Sequence, residues 1–441
     1  MKQFKKLSIL MIVPFLLSGC EIPQEEVPPS KGEVTAHFVG IIPSAQEGGY
    51  DITLDFNDDY FKQSATKRSD ELTKLSFAAA MAQSGLESKS FYTQMGFSNV
   101  HVEWATPSED TIGYTFAQKK MNNDHLVAVT IRGFNYGSEW VNNLKMGSEG
   151  NHEGFEEKAK DVFSALKDYT SGLYNQHVKY WISGYSRGGG VANVLASLLM
   201  KPDSRIKTNQ NDLYVYTYEA PRGLTEENAV KYPNVFNFVN DLDLVQMVAP
   251  AQYGLYRCGQ DIIINENKDI DASVSAFDPN ITLPVFTPSD DYGTTHKEFV
   301  DYVMNTLLEP VEGYQEYGLC TREDFAKRYQ EPLGYTISLV FTLPSQTIDK
   351  IINTIKNMGI WEMMSLISDE LGFYNVIKPI FDEDGISYDD AKLKATSTSL
   401  CHLIQAKLIL VLLALLDENS QANFTRTIYM HSPEVVWALI K

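Results

Sequence analysis

Two features of the sequence predict an α/β fold with a mostly parallel central sheet and a large helical region in the C-terminal third. Between residues 113 and 265, short apolar runs typical of buried strands alternate with helical patterns. This alternation is expected for parallel strands joined by helical crossovers. From about residue 295 the apolar residues recur with helical spacing instead.

The composition is that of an acidic globular protein. The 441 residues are 44% hydrophobic and 21% charged, which provides for a large core. Lysine and arginine number 37 against 57 aspartates and glutamates, so the formal net charge is -20. An acidic surface argues against nucleic acid as a partner and against electrostatic docking on anionic lipid.

Residues 1–19 have the pattern of a signal peptide. A basic start precedes the apolar run from Leu7 to Leu17, which is too short for a stable membrane anchor. The run ends in Leu-Ser-Gly-Cys, which resembles a bacterial lipobox. The resemblance implies cleavage before Cys20 and acylation of that residue, with the Pro-rich residues 20–32 as a tether. The protein is then lipid-anchored in the bacterial cell envelope and faces outside the cytoplasm; the alternative is an ordinary signal peptide with an incidental cysteine.

The first elements of the folded chain are predicted as strands and one helix. Residues 33–39 and 50–56 read as strands, the second with alternating apolar residues. Ser69 is a favourable N-cap for a helix whose first turn is acidic. Residues 113–117 and 126–131 flank an Asn-Asn-Asp turn and predict a pair of strands.

The Gly-Tyr-Ser-Arg-Gly motif at residues 184–188 carries the main chemical signal. An apolar strand pattern precedes it and a helical pattern follows it, which is the context of a nucleophile elbow. The tight turn strains the backbone of Ser186 and exposes its hydroxyl. The start of the helix directs the backbone N–H of Arg187 toward a developing oxyanion. We predict Ser186 as the nucleophile and Arg187 as an oxyanion-hole residue; the alternative is a structural Gly-rich turn.

A second oxyanion donor is expected where the strand at residues 126–131 runs into Arg-Gly-Phe. The donor would be the backbone N–H of Phe134. Taken alone, an apolar strand that ends in glycine is most often an ordinary strand. His152 precedes the nucleophile and stands at a helix start, which favours a structural role over that of a base.

Two aspartates compete for the acid of a Ser…Asp…His order. Strand patterns at residues 213–218 and 235–239 follow the elbow helix, and Asp241 and Asp243 come just after the second. One further strand pattern covers residues 254–265.

The C-terminal third contains six predicted helical runs, at residues 298–308, 322–330, 335–343, 348–358, 361–371 and 399–416. Nine consecutive apolar residues in the last run are too few to span a bilayer and predict a buried helix. Cys258, Cys320 and Cys401 fit no metal-binding pattern, and we interpret them as buried apolar residues with one disulfide possible.

Together these motifs resemble the fungal-lipase-type, or class 3, lipases of the α/β-hydrolase fold, in particular bacterial members, over roughly residues 50–265. The family's strand ending in Phe-Arg-Gly-Thr places an oxyanion donor on Phe134. Its Gly-His-Ser-x-Gly-Gly elbow places the nucleophile on Ser186. Its Asp-x-Val-Pro segment falls on residues 243–246 and favours Asp243.

Three positions depart from the family pattern. Tyr185 stands where histidine is common and Arg187 where leucine is common, and neither change affects the backbone geometry of the elbow. Phe134 replaces a hydroxyl residue and so removes a side-chain donor from the oxyanion hole.

The histidine of the triad stays open between two candidates. His296 lies at a spacing from Asp243 like that of compact family members. His431 precedes Ser-Pro-Glu and resembles the segment that carries the C-terminal catalytic histidine of the bacterial members. We favour His431 over His296, and interpret His402, within a helical run, as structural.

The choice of His431 implies a division of the chain. Residues 33–294 are then an α/β-hydrolase core, residues 295–425 a helical cap inserted between acid and base, and residues 426–441 a return to the core. The resemblance implies a serine hydrolase of lipid or small esters, without cofactor or metal. The alternatives are a surface lipoprotein that uses an inactive hydrolase fold as a binding module, and a peptidase or amidase with the same triad.

Overall fold

A computed structural model describes residues 29–104, 111–133, 141–313, 317, 319–407 and 417–441. Cys20, the predicted lipidation site, and Phe134, the predicted oxyanion donor, lie outside the described residues. The apolar run at residues 408–416 also lies outside them.

The centre of the fold is a seven-stranded sheet in the order β3-β4-β5-β6-β7-β8-β9. Its strands are β3 (Ser98–Glu103), β4 (Tyr114–Met121), β5 (Asp124–Ile131), β6 (His177–Tyr185), β7 (Leu213–Tyr218), β8 (Val235–Val239) and β9 (Gln260–Ile263). The strands from β5 to β9 are parallel, whereas β3, β4 and β5 pair antiparallel. The mostly parallel sheet with helices on both faces gives the chain an α/β-hydrolase fold. This architecture confirms the predicted fold class.

Helices cover both faces of this sheet because successive strand residues point to opposite sides. On one face, α1 (Asp70–Ser84) and α2 (Ser88–Gln94) pack with α6 (Ile270–Phe277) and the C-terminal helix α15 (Pro433–Ile440). On the other face lie α4 (Glu153–Tyr169) and α5 (Arg187–Leu199). Side chains of β6 alternate between the two cores: Trp181 belongs to the first, and Tyr180 and Ile182 to the second.

The N-terminal strands form a sheet of their own. Strands β1 (Lys31–Phe38) and β2 (Tyr50–Asn57) pair antiparallel and pack on α1. Both strands and the N-cap at Ser69, whose side chain accepts from the N–H of Leu72, agree with the predictions.

The predicted strand at residues 254–265 is too long. Tyr256 pairs with Leu224 only in an isolated bridge. Gly254 and Gly259 have φ values of 73° and 83°, outside the range of an extended strand. Regular pairing therefore begins at Gln260.

The C-terminal third is helical, as predicted. Its described helices are α7 (His296–Leu308), α8 (Arg322–Arg328), α9 (Gln330–Thr342), α10 (Ser345–Lys356), α11 (Ile360–Ser368), α12 (Gly372–Asp384), α13 (Asp390–Ala406) and α14 (Glu418–Tyr429). The predicted boundary between the helical cap and the C-terminal return, between residues 425 and 426, falls inside α14. The helix is continuous across that boundary. In the described part of the chain, no helix has both the length and the apolar character needed to cross a bilayer.

The helical region contacts the core at the loops that follow the parallel strands. Phe325 and Tyr329 pack with Tyr253 and Leu255, and Phe299 packs in a cluster that includes Leu244.

Arg322 adds polar contacts between the helical region and the core. Its guanidinium donates to the carbonyl groups of Gly147 at 2.9 Å and Gly150 at 2.7 Å, and to those of Met146, Glu149 and Asn151. This side chain joins the start of α8 to the loop before α4, and so fixes the helical region over the carboxyl edge of the sheet.

The three cysteines in the described residues are free thiols. Cys258 and Cys401 are buried, as predicted, but Cys320 is partly exposed.

Candidate active site

Ser186, His431 and Asp243 meet at the carboxyl edge of the parallel sheet. The distance between His431 Nε2 and Ser186 Oγ is 2.8 Å, and that between His431 Nδ1 and Asp243 Oδ2 is 2.6 Å. Ser186 directly follows β6, Asp243 lies in the turn after β8, and His431 lies between α14 and α15. The sequence predictions thus fall on three side chains that form one continuous chain of hydrogen bonds.

The backbone of Ser186 is strained, with φ 52° and ψ -126°. Its N–H donates to the carbonyl of Tyr218 at 2.8 Å, which ties the turn to the neighbouring strand β7. A β-carbon at Gly184 would lie 2.3 Å from the Gly188 carbonyl oxygen, and one at Gly188 would lie 2.3 Å from that of Ile131. Only glycines fit there, and their close packing holds Ser186 in a conformation that costs about 1–3 kcal/mol.

The turn that carries His431 is held by its backbone. Tyr185, the residue before the nucleophile, donates its hydroxyl hydrogen bond to the carbonyl of His431, and Asn240 Nδ2 donates to that of Met430 at 3.3 Å. Ser432 then caps α15 by accepting from the N–H of Val435. The position of the imidazole is therefore fixed by contacts of its turn with the nucleophile elbow, with the loop that carries Asp243 and with α15.

Asp243 is fully buried, and Asp241 is not. The second carboxylate oxygen of Asp243 accepts from the N–H of Val245 at 2.7 Å. Asp241 instead accepts from Asn265 Nδ2 at 2.7 Å, in the loop after β9. Of the two competing aspartates, the structure brings Asp243 to the histidine.

Glu219 is a second buried carboxyl group at this site. It directly follows β7, between the strand that carries the nucleophile and the strand that precedes the acid. Its side-chain oxygens accept from the N–H of Asn240 at 3.0 and 3.1 Å. Burial, together with the adjacent Asp243 carboxylate, raises the pKa of Glu219 well above its usual range.

The other candidate histidines have different partners. His296 Nε2 lies 2.7 Å from Thr427 Oγ1, and its ring stacks on Phe286. Burial lowers the pKa of His296 to about 4. His402 contacts Glu370 and stacks on Tyr317. The structure therefore brings His431, and not the alternative His296, to Ser186.

His152 is a structural residue, as its position predicts. It is buried, stacks on Phe155 and accepts from that residue's N–H, which makes it the N-cap of α4. Its other nitrogen lies 3.1 Å from the carbonyl of Asn143. Burial lowers the pKa of His152 to about 3.

Of the two predicted oxyanion-hole residues, Arg187 can be located. It is the first residue of α5 and directly follows Ser186, so its backbone N–H lies at the positive end of the helix dipole. Its side chain is buried and donates to the carbonyl of Thr111 at 3.1 Å. The described part of the β5 loop ends at Gly133, where an added β-carbon would overlap the Tyr185 carbonyl oxygen. Phe134 follows, outside the described residues.

The site is nearly closed to solvent. Ser186 has 4% of its surface exposed, and the His431 side chain 12%. A cavity of about 310 Å³ between α9, α13 and the short helix α3 (Val141–Leu144) is lined by none of the three triad residues.

One cluster of the described residues has the composition of a metal site, consisting of Glu219, Asp243 and His431. The hydrogen bonds of all three groups are explained without an ion, because Asp243 accepts from His431 and Val245 while Glu219 accepts from Asn240.

Two residues of the site were missed at the sequence level. The sequence identifies Tyr185 only as a departure from a family motif and does not single out Glu219. A usable signal existed for Glu219, because an acidic residue at the carboxyl end of a central parallel strand lies at the edge where sites form. Nothing local in the sequence indicates the partner of the Tyr185 hydroxyl, which is 246 positions away.

Comparison with known protein families adds to this geometry. Residues 128–253 match the family model of class 3 lipases. The matched segment contains the second half of β5, the elbow and Asp243. It covers less than half of the chain and ends before His431. Comparison with curated proteins gave no match.

Solved structures similar to this chain include fungal lipases. The Rhizomucor miehei lipase propeptide complex has a TM-score of 0.35 and 16% identity, with 45% of this chain and 68% of that chain covered. Lipase II from Rhizopus niveus has a TM-score of 0.33 and 15% identity, with 52% and 82% covered. A lipase from Rhizopus microsporus var. chinensis has a TM-score of 0.32 and 17% identity, with 56% and 82% covered. The class 3 lipase match supports a hydrolase of the lipase type.

Proposed function

We propose that this protein is a serine hydrolase that cleaves carboxylic esters, with acylglycerols or other lipid esters as the substrate class. The observation that carries the proposal is the unbroken hydrogen-bond chain from Ser186 through His431 to the buried Asp243. A serine placed on a strained elbow and 2.8 Å from an imidazole is the arrangement of an activated nucleophile.

In the first step, Ser186 Oγ attacks the carbonyl carbon of the ester and His431 Nε2 takes the hydroxyl proton. The carbonyl oxygen becomes an oxyanion, which the N–H of Arg187 at the helix start stabilises. We propose the N–H of Phe134 as the second donor. When the tetrahedral intermediate collapses, the C–O bond to the alcohol breaks, and His431 Nε2 returns the proton to the leaving oxygen.

In the second step, water takes the place of the alcohol. His431 Nε2 removes a proton from the water as its oxygen attacks the acyl carbon, and returns that proton to Ser186 Oγ when the ester bond to the enzyme breaks. Asp243 accepts from Nδ1–H throughout. Its carboxylate holds the imidazole in the tautomer that leaves Nε2 free to accept, and stabilises the imidazolium that forms.

The class 3 lipase match favours ester substrates over amides. A peptidase or amidase would use the same three side chains. The second alternative, a binding module without activity, is disfavoured by the intact hydrogen-bond chain, since a module that only binds has no need for a strained serine beside an imidazole.

For location, we propose that acylated Cys20 anchors the protein in a bacterial envelope membrane, facing outside the cytoplasm. The support is the sequence of residues 1–32 alone. This places the enzyme beside lipid esters without requiring an apolar span in the folded domain.

The mechanism is tested by measuring hydrolysis of nitrophenyl esters of rising chain length, together with labelling by a fluorophosphonate. We expect Ser186→Ala to abolish labelling, and His431→Ala to lower kcat by about three powers of ten or more, because the nucleophile loses its base. His296→Ala is the matched control and should keep most of the activity. Labelling of Ser186→Ala at the parental level, or loss of activity in the His296 variant alone, would refute the assignment.

A further inference from the structure

Glu219 has a backbone conformation that favours glycine. Its φ is 47°, in the left-handed region, where a residue with a β-carbon is strained. Its side chain is also fully buried. Hydrogen bonds to both neighbouring strand ends hold the backbone of Glu219 in this conformation. Its N–H donates to the carbonyl of Phe238 at 2.9 Å, and the carbonyl of the preceding Tyr218 accepts from the N–H of Ser186. Backbone strain at a buried carboxyl group is typical of functional sites, so the conformation of Glu219 indicates a functional role.

The carboxyl group of Glu219 faces the acid of the proposed triad. Oxygens of Glu219 and Asp243 and a ring nitrogen of His431 lie within 4.8 Å of one another. Burial, and after it the adjacent Asp243 carboxylate, raise the pKa of Glu219. Two buried carboxylates cannot both ionise at this separation, so one of them holds a proton. Asp243 is the one that accepts from the imidazole and from a backbone N–H, which stabilises its ionised form.

The charged groups around Glu219 agree with this assignment. Asp243 faces Glu219 from the loop after β8, and His431 faces it from the turn before α15. Arg257, in the segment before β9, lies beside it and donates from Nε to the carbonyl of the next residue, Ala220. The guanidinium of Arg257 is already used, because it donates to Asp261 at 2.9 Å and to Gln246 at 2.6 Å. Glu219 therefore lies beside the Asp243 carboxylate, while the nearby Arg257 guanidinium donates its hydrogen bonds to other acceptors.

We propose that Glu219 is a neutral carboxylic acid that donates its O–H to the Asp243 carboxylate, and so acts as a positioning residue for the triad. The proposal rests on the proposed function. Asp243 then has three donors, from Glu219, His431 and the N–H of Val245. Three donors fix the rotation of the carboxylate and, through it, the plane and tautomer of the imidazole, while the proton on Glu219 avoids a second negative charge beside the catalytic pair.

The first test compares Glu219→Gln with Glu219→Ala. Glutamine is neutral, has the same shape and keeps a donor for Asp243, so we expect kcat within about threefold of the parent. Alanine removes the donor to a charged acceptor, so we expect kcat to fall about ten- to hundredfold while KM stays within about twofold. Parental kcat in both variants, or an equal loss in both, would overturn the positioning role.

The second test is the pH profile of kcat/KM, which a merely structural role would not change. Since a neutral acid is replaced by a neutral amide, the acidic limb of Glu219→Gln should coincide with that of the parent. If Glu219 were ionised, the substitution would remove a negative charge near the imidazole and move the limb to lower pH by about one unit or more. That shift would refute a protonated Glu219.

The third test does not depend on activity. The infrared spectrum of the full chain should contain the carbonyl stretch of a buried protonated carboxylic acid that Glu219→Gln removes. Glu434→Gln is the matched control, because Glu434 is also buried, has a raised pKa and accepts instead from the N–H of Ile42. If the parent hydrolyses no ester but the Glu219 band is present, the proposed function fails and the protonation state stands. An active parent without that band overturns this proposal alone.

Discussion

At the scale of single residues, Tyr185 joins two distant parts of the site. Its hydroxyl donates to the backbone carbonyl of His431, and the two rings lie 5.4 Å apart. Its ring also meets Phe77 of α1 edge to face. The residue before the nucleophile thus fixes the turn that carries the base.

Removal of that hydroxyl should lower the rate as well as the stability. One hydrogen bond contributes about 0.5–1.5 kcal/mol, so we expect Tyr185→Phe to lower kcat about three- to tenfold by loosening the turn of His431. Steady-state kinetics and urea unfolding would measure the two effects. Tyr214→Phe is the matched control, since its hydroxyl donates to the carbonyl of Phe61 at 2.8 Å, away from the triad. Equal kcat values in the two variants would contradict the proposed role of Tyr185.

How far single residues can be predicted depends on how local their signal is. Ser186 follows from a five-residue motif and its flanking patterns, and Asp243 from a strand end together with a family segment. His431 could only be favoured over His296, because its role depends on a packing contact between segments 245 positions apart. Glu219 has a local signal in its place at a strand end, but its strained backbone and its buried carboxylate neighbour exist only in the folded chain.

At the scale of elements, the N-terminus of α4 contains a titratable cap. His152 accepts from the N–H of Phe155 only while its ring is neutral, and burial favours that form. Its pKa is about 6.5 in the unfolded chain and about 3 in the fold. Between these values the unfolded chain binds a proton that the folded chain does not bind, so stability falls as the pH falls through this window.

We therefore expect His152→Asn to lose less free energy of unfolding than the parent, or to gain more, between about pH 7 and about pH 5. Asparagine keeps an acceptor for the cap but does not titrate. Urea unfolding at several pH values measures the slope. His296, with a pKa lowered to about 4, acts in the same direction, whereas Glu219, whose pKa is raised, acts in the opposite one, so the difference between the parent and the variant isolates His152. An unchanged slope in the variant would contradict the role of His152.

Elements with a strong periodic pattern were predicted well, and short or atypical ones were not. Helix α12 contains Pro379 in its interior, which normally indicates a helix end. Helices α2 and α6 have seven and eight residues, too few for periodicity to distinguish them from loops. Strand β3 has an irregular register and no fully buried residue, so its alternation is weak.

At the scale of the whole molecule, the helical region lies over the carboxyl edge of the sheet, where Arg322 and two apolar clusters attach it. Its helical content was predictable from periodicity. Its place as a cap followed only from the choice of His431. The contacts that hold it there could not be predicted, because Arg322 donates to carbonyl groups more than 170 positions away.

The proposed membrane anchor is also a property of the whole molecule. If Cys20 carries the lipid, Cys20→Ala should appear in the soluble fraction or remain unprocessed, while purified folded protein keeps its ester hydrolysis, because the site lies far along the chain from the tether. Membrane fractionation and mass spectrometry of the N-terminus measure this. Cys20→Ser tests whether the thiol is needed. Full membrane retention of both variants would remove the lipid-anchor argument.

The order of the three triad residues along the chain has a consequence for biosynthesis. Ser186 and Asp243 leave the ribosome 245 and 188 residues before His431 does. Since chains begin to fold during synthesis, a nascent chain that has not reached α14 can form the elbow and the acid loop but has no base for the serine. Under the proposed function, ester hydrolysis begins only when the turn between α14 and α15 has docked, so a partly synthesised chain has no activity toward the lipids of the cell that makes it.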